Sequence, residues 1–136
     1  MSGKAFFDTN ILIYLYSSDE PEKRDRSRIL VAETSGVISL QVINELANVL
    51  HRKFHIEYIF IAPVVGEMKD SFQIMDVTIE TVSSALALGV KYKYSYFDSL
   101  IIASAMEAGC SVIYSEDMQH GQVIEGELTI QNPFIT

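Results

Sequence analysis

Phe97-Asp98-Ser99-Leu100-Ile101-Ile102-Ala103-Ser104-Ala105-Met106-Glu107-Ala108-Gly109-Cys110-Ser111-Val112-Ile113-Tyr114-Ser115-Glu116-Asp117 is the stretch that decides the fold class. Ile101, Ile102, Ala105 and Met106 recur at helical spacing, so residues 97–108 read as a helix. Gly109 is the residue type that stops one. The short apolar run at 111–115 then reads as a strand, and Asp117 follows its carboxyl end. A helix leading directly into a short buried strand belongs to an α/β alternation, and the rest of the chain repeats it.

Working outward, further strands are expected at 4–8, 36–40, 71–76 and 128–131, and further helices at 9–17, 21–34, 40–54, 56–69 and 79–93. Pro21 suits a first helical turn, with Ser18 or Asp19 as cap, and Pro63 is expected to kink the fourth helix. The expected fold is α/β, a three-layer α/β/α sandwich around a mainly parallel sheet of four or five strands. No repeat, low-complexity tract or linker divides the 136 residues, so residues 1–136 read as one domain with one core. In such sheets ligands bind outside the carboxyl ends of the strands. Asp8 and Asp117 both fall there.

Two more acids stand out. On the third helix Val42, Ile43, Leu46, Val49 and Leu50 fill one arc, and Glu45 lies about 40° beyond its edge, beside Gln41 and Asn48. Asp98 projects from the apolar face of the sixth helix. Each has an ordinary reading. Asp8 and Asp98 could cap helices, Glu45 could be a boundary residue, and Asp117 could be a solvated loop acid. Carboxylates beside buried segments are costly unless compensated, and four gathered together would repel unless they held cations. Oxygen donors without His or Cys suit hard ions such as Mg²⁺ or Mn²⁺.

Composition limits the function classes. No apolar run reaches the roughly 18 residues a membrane span needs. Met1-Ser2-Gly3-Lys4 lacks the pattern of a signal peptide, and Cys110 is the single cysteine, so no intramolecular disulfide can form. A cytoplasmic protein with Cys110 at the edge of the core is expected. The net charge of −8 argues against tight, nonspecific nucleic-acid binding, but the four acids account for half of it. A metal-bridged phosphate substrate therefore stays open.

Other features read as structural. His51 and His55 are four apart, but Arg52 rather than Glu follows His51, which argues against a zinc-protease pattern. His120 reads as a solvated loop residue. Lys23, Arg24, Arg26 and Arg28 are interleaved with Glu22 and Asp25, as on a solvated helix face. Lys91-Tyr92-Lys93-Tyr94-Ser95-Tyr96-Phe97 alternates cations and rings just before Asp98. It reads as a loop covering the core or as an aromatic platform for single-stranded RNA.

Taken in order, Phe7-Asp8-Thr9-Asn10-Ile11-Leu12-Ile13, Asn44-Glu45-Leu46, Asp98-Ser99-Leu100-Ile101-Ile102-Ala103-Ser104-Ala105, Tyr114-Ser115-Glu116-Asp117-Met118 and Asn132-Pro133-Phe134 resemble the PIN-domain nucleases, and within them the VapC-type toxins of toxin–antitoxin pairs. The resemblance spans essentially the whole chain and keeps every acidic position. It implies that Asp8, Glu45, Asp98 and Asp117 are catalytic and metal-ligating, with one or two Mg²⁺ or Mn²⁺ ions. Asp8 and Asp98 would be central, with Thr9, Asn10, Ser115 and Glu116 in support or in contact with substrate. The implied activity is endoribonuclease cleavage of RNA. The implied partners are a small antitoxin and a second copy of the chain, with Ile59, Val64 and Val65 of the fourth helix as interface candidates. The alternatives are a housekeeping PIN-domain RNA-processing nuclease and a non-catalytic cation-binding interaction module.

Overall fold

A computed structural model describes residues 3–135. In chain order the elements are β1 (Ala5–Phe7), α1 (Thr9–Leu15), α2 (Pro21–Glu33), β2 (Gly36–Ser39), α3 (Leu40–Arg52), α4 (Tyr58–Ser71), β3 (Gln73–Met75), α5 (Ile79–Tyr92), α6 (Tyr96–Glu107), β4 (Val112–Tyr114), β5 (Val123–Ile124) and β6 (Leu128–Gln131). The sheet order is β3-β2-β1-β4-β6-β5, and every neighbouring pair is parallel except β5 with β6. Five strands and all six helices fall where the hydrophobic periodicity places them, within a few residues.

The sixth strand, β5, is an addition. It closes a tight hairpin in which Glu125 and Gly126 both have positive φ (51° and 68°) and the Glu127 N–H bonds back to the Ile124 carbonyl at 3.0 Å. Those angles are the mirror-image turn that suits paired strands, and Asn-Gly or Asp-Gly is its usual sequence. Glu-Gly carries a weaker signal.

The chain steps one way across the sheet from β1 to β2 to β3, then returns to place β4 on the other side of β1. Right-handed crossovers therefore put α1–α4 on one face and α5–α6 on the other, giving three layers. The direction of winding reverses between β1 and β4. Such a switch point, at the carboxyl ends of neighbouring parallel strands, is where ligands bind in open α/β sheets. β1 and β2 are buried along their whole length, as central parallel strands are.

Helix α6 is buried continuously from Ser99 to Ala105, because it packs on α5, the sheet and α3. Its end is fixed by Gly109 at φ 73°. The Gly109 N–H reaches the Met106 carbonyl and the Cys110 N–H the Ala105 carbonyl, both at 3.0 Å, as in a Schellman stop. Cys110 is buried, and burial pushes its thiol up to about 11, so it is inert. Helix α4 continues through Pro63 to Ser71.

Gly36 is held by a close approach. A Cβ there would lie 2.6 Å from the Phe72 ring, which packs edge-on against Phe7 with centroids 5.6 Å apart. Gly36→Ala must push apart two core rings, so it is expected to cost about 1–3 kcal/mol, read from the urea midpoint.

Candidate active site at the sheet switch point

Asp8 follows β1 directly and is 6% exposed. One of its carboxylate oxygens accepts the Thr9 N–H at 2.7 Å, capping α1. The other accepts the Ser115 hydroxyl at 2.8 Å from the loop after β4. Ser115 is itself fully buried, and its oxygen also accepts the Met118 N–H at 3.2 Å. The cap and the functional placement therefore coexist in one residue. Burial pushes the Asp8 carboxyl up to about 6. The Ser115 and Thr9 bonds pull it back, and the charges of Asp98 and Glu45 add to the rise.

Glu45 reaches the same place from α3, which springs from the end of β2 with Ser39 as its N-cap. Its carboxylate accepts the Thr9 hydroxyl at 3.2 Å and the Gln41 amide at 2.9 Å. Gln41 lies one turn before Glu45, so the helix itself aims this acid.

Asp98 is not the cap of α6. Ser95 is, accepting the Asp98 N–H at 3.2 Å, and the helix begins at Tyr96, which makes Asp98 its third residue. Its carboxylate is half-buried and is not needed to cap the helix. Burial raises its pKa, the Ser95 hydroxyl counters, and the Asp117 charge raises it further. Asp117 is exposed, and the Asn10 side-chain amide of α1 donates to it.

The four acids thus lie along the carboxyl edge of the sheet, where the charges of Glu45 and Asp98 act on Asp8 and that of Asp117 acts on Asp98. None of the four is paired with a Lys or Arg among the described residues. Nor do three His, Cys, Asp or Glu side chains there already converge closely enough to grip an ion. The donor set nonetheless fits a hard divalent cation. It is all oxygen, carries up to four negative charges, and includes a carboxyl that burial and like charge push up to about 6.

Glu116 takes a different role from its neighbour. Its carboxylate turns to Lys23 at 2.5 Å and receives the Tyr14 hydroxyl at 2.5 Å. Burial alone would raise its pKa, but Lys23 and Tyr14 outweigh that and hold it below the usual value. Asn10 and Tyr14 stand one turn apart on α1, so one face of that helix holds both Asp117 and Glu116. Lys23 also lies over the Tyr14 and Phe134 rings, 5.2 and 5.5 Å from their centroids. Arg26 and Arg28 are exposed as expected of a solvated face, but Lys23 clamps the loop after β4 across 93 residues of sequence. Lys23→Met leaves Glu116 without its cation and is expected to cost about 1–2 kcal/mol. A double-mutant cycle with Glu116→Gln measures how much of that loss is the pair.

The other singled-out residues have partners of their own or lie on other surfaces. His51 bonds the Ile56 carbonyl at 3.0 Å through Nδ1 and stacks on Tyr58. His55 lies beyond the end of α3 at φ 57°, so the two do not share a helix face. His120 Nδ1 accepts the Asn132 N–H at 2.9 Å. On α4, Ile59 is exposed, Val65 is at the exposed boundary and Val64 packs on the core. No helix among the described residues is long and apolar enough to cross a membrane.

Comparison with known proteins adds to this geometry. The PIN domain family profile matches residues 5–124. A sequence comparison with curated proteins finds no match. Among solved structures, a toxin–antitoxin complex from Klebsiella pneumoniae superposes with a TM-score of 0.73 at 23% identity, covering 96% of this chain and 98% of that one. The sarcin-ricin-loop-cleaving toxin VapC20 of Mycobacterium tuberculosis gives 0.71 at 19% identity, over 84% and 90% of the two chains. The DNA-bound VapBC of Salmonella typhimurium gives 0.66 at 17% identity, over 98% and 99%. At these identities the likeness is one of fold.

Proposed function

The chain belongs to the PIN domain family, a family of nucleases, and from that premise we propose that it is a divalent-metal-dependent endoribonuclease. We take it to be a single-domain cytoplasmic protein that acts as the toxin of a toxin–antitoxin pair. The observation that carries the reading is the Asp8 carboxylate. It is buried at the switch point, fixed by Thr9 and Ser115, and lies within the field of two further acids, none of them paired with a Lys or Arg among the described residues.

Asp8 and Asp98 would hold the ion, with Glu45 and Asp117 completing the set or orienting the attacking water. When bound, the ion supplies a Lewis acid that polarises a phosphoryl oxygen and makes water a competent nucleophile near neutral pH. The chain's own residues do the positioning. The Ser115 and Thr9 bonds fix the Asp8 carboxylate, Gln41 and Thr9 fix Glu45, and Asn10 holds Asp117 at the rim. Such supporting bonds orient ligands and tune their basicity. The exposed position of Asp117 leaves the rim open to a phosphodiester chain.

The partners follow from the same reading: RNA as substrate, a small antitoxin that blocks the site, and a second copy of the chain. The test is to incubate the purified protein with assorted end-labelled RNAs in Mn²⁺, in Mg²⁺ and in EDTA. Cleavage in either metal and none in EDTA is expected. Intact RNA in all three overturns the nuclease reading and leaves a cation-binding interaction module. Growth arrest on expression, relieved by the product of a neighbouring small gene, separates a toxin from a housekeeping nuclease.

A further inference from the structure

The segment before Asp98 carries four aromatic rings, and the fold uses only two of them. The Tyr92 hydroxyl donates to Glu125 at 2.6 Å and accepts the Glu125 N–H at 2.9 Å, tying the end of α5 to the β5–β6 turn. The Tyr94 hydroxyl donates to Gln122 at 2.5 Å and accepts the Gln119 N–H at 3.1 Å, tying the loop after β4. Tyr96 and Phe97 do neither. They occupy the first turn of α6, 41% and 57% exposed, with ring centroids 5.5 Å apart and planes inclined at 59°. Their neighbour in the chain is Asp98.

Two adjacent large rings thus stand partly in solvent instead of packing in the core. The cations nearby differ in the same way. Lys91 is spent on Glu125 at 2.5 Å. Lys93 is exposed at φ 65° and makes no ion pair among the described residues. An exposed ring pair, a free cation and a carboxylate of the acidic edge are thus consecutive features of one short segment. That combination is what an unstacked nucleobase and its phosphate need, because rings stack on any base face and a lysine answers the backbone.

We infer that Tyr96 and Phe97 form a stacking platform for a nucleobase flanking the scissile phosphate. The inference rests on the nuclease reading above and adds the residues that hold a base beside the cut. A duplex keeps its bases stacked on each other and has no free face to offer the platform.

The test uses the full-length protein and a hairpin RNA carrying 2-aminopurine in its unpaired loop, with the fully paired duplex of the same sequence as comparison. Wild type is expected to quench the loop probe on binding and to cut the loop RNA in preference to the duplex. Phe97→Ala and Tyr96→Ala are each expected to lose the quenching and to raise KM for the loop RNA on the order of tenfold, with kcat unchanged. Phe97→Trp is expected to keep both. Because both side chains are exposed, unchanged melting temperatures check that the variants fold. Alanine variants with unchanged quenching and KM overturn the platform, as does an equal loss on loop and duplex. So does an altered oligomeric state with RNA binding intact, which would make the pair a protein interface. Wild type that cuts no RNA fails the nuclease reading itself, whereas active variants with unchanged KM fail the platform alone.

Discussion

Asp98→Asn is expected to lower the RNA cleavage rate on the order of a thousandfold while leaving the fold intact. Charge stabilisation by a bound divalent ion is worth several kcal/mol, and each 1.36 kcal/mol is tenfold in rate. Removing one ligand charge disturbs both the position of the ion and its balance. The structural cost is small because Ser95, not Asp98, caps α6. Asn at the third helical position loses the favourable interaction of a carboxylate with the helix N-terminus, about 0.3–1 kcal/mol. It also loses repulsion from Asp117. Metal-free stability should therefore change by less than about 1 kcal/mol. The Mn²⁺-induced rise in melting temperature should shrink or vanish. A variant that retains both cleavage and the metal shift would remove Asp98 from the site.

The metal-free protein is expected to lose stability between about pH 4 and pH 6 through Asp8. The folded chain holds the Asp8 proton up to about 6, whereas an unfolded chain releases it near 4. The folded state therefore binds more protons across that window, so unfolding free energy falls as pH rises through it. The stabilising contribution is complete below about pH 4 and gone above about pH 6. A shift of this size corresponds to a loss of about 3 kcal/mol. Asp8→Asn cannot titrate, so it should flatten this part of the profile and be the more stable form at pH 7 without metal. Divalent cation should reverse the loss in wild type. Mn²⁺ at a hundredfold over its dissociation constant restores about 2.7 kcal/mol by mass action. Urea melts from pH 4 to pH 8, with and without Mn²⁺, measure both effects. Identical profiles for wild type and Asp8→Asn would show that Asp8 carries no strained charge.

Most of the fold is legible in the sequence because the parallel strands are short, apolar and separated by helices of clear period. β1 and β2 are buried on both faces and read as unbroken apolar runs. What escapes is local or long-range. β5 is two residues long, and its Glu125-Gly126 turn lacks the usual Asn or Asp. The start of α6 is displaced by the cap choice. Ser95 stands three residues before Asp98, the capping spacing, so the sequence carries a second cap signal upstream of the acid.

The acidic edge divides in the same manner. Asp8 and Asp117 are legible because a carboxylate at a parallel strand's carboxyl end faces the crevice wherever the strand is placed correctly. Glu45 and Asp98 are legible from helical angle. The residues that hold them are less so. Gln41 is visible as the residue one turn before Glu45. The turn of Glu116 away from the acids toward Lys23 and Tyr14 depends on contacts 93 and 102 residues apart, which no local pattern encodes.

The central claim is that these four carboxylates hold a divalent ion at the switch point between β1 and β4. The most direct measurement is an anomalous-difference map from crystals of the wild-type protein soaked in Mn²⁺. The account predicts a peak bonded to the Asp8 and Asp98 carboxylates, with Glu45 or Asp117 within reach directly or through water. No peak at that edge at saturating Mn²⁺, or a peak bound only by acids elsewhere on the surface, would contradict it.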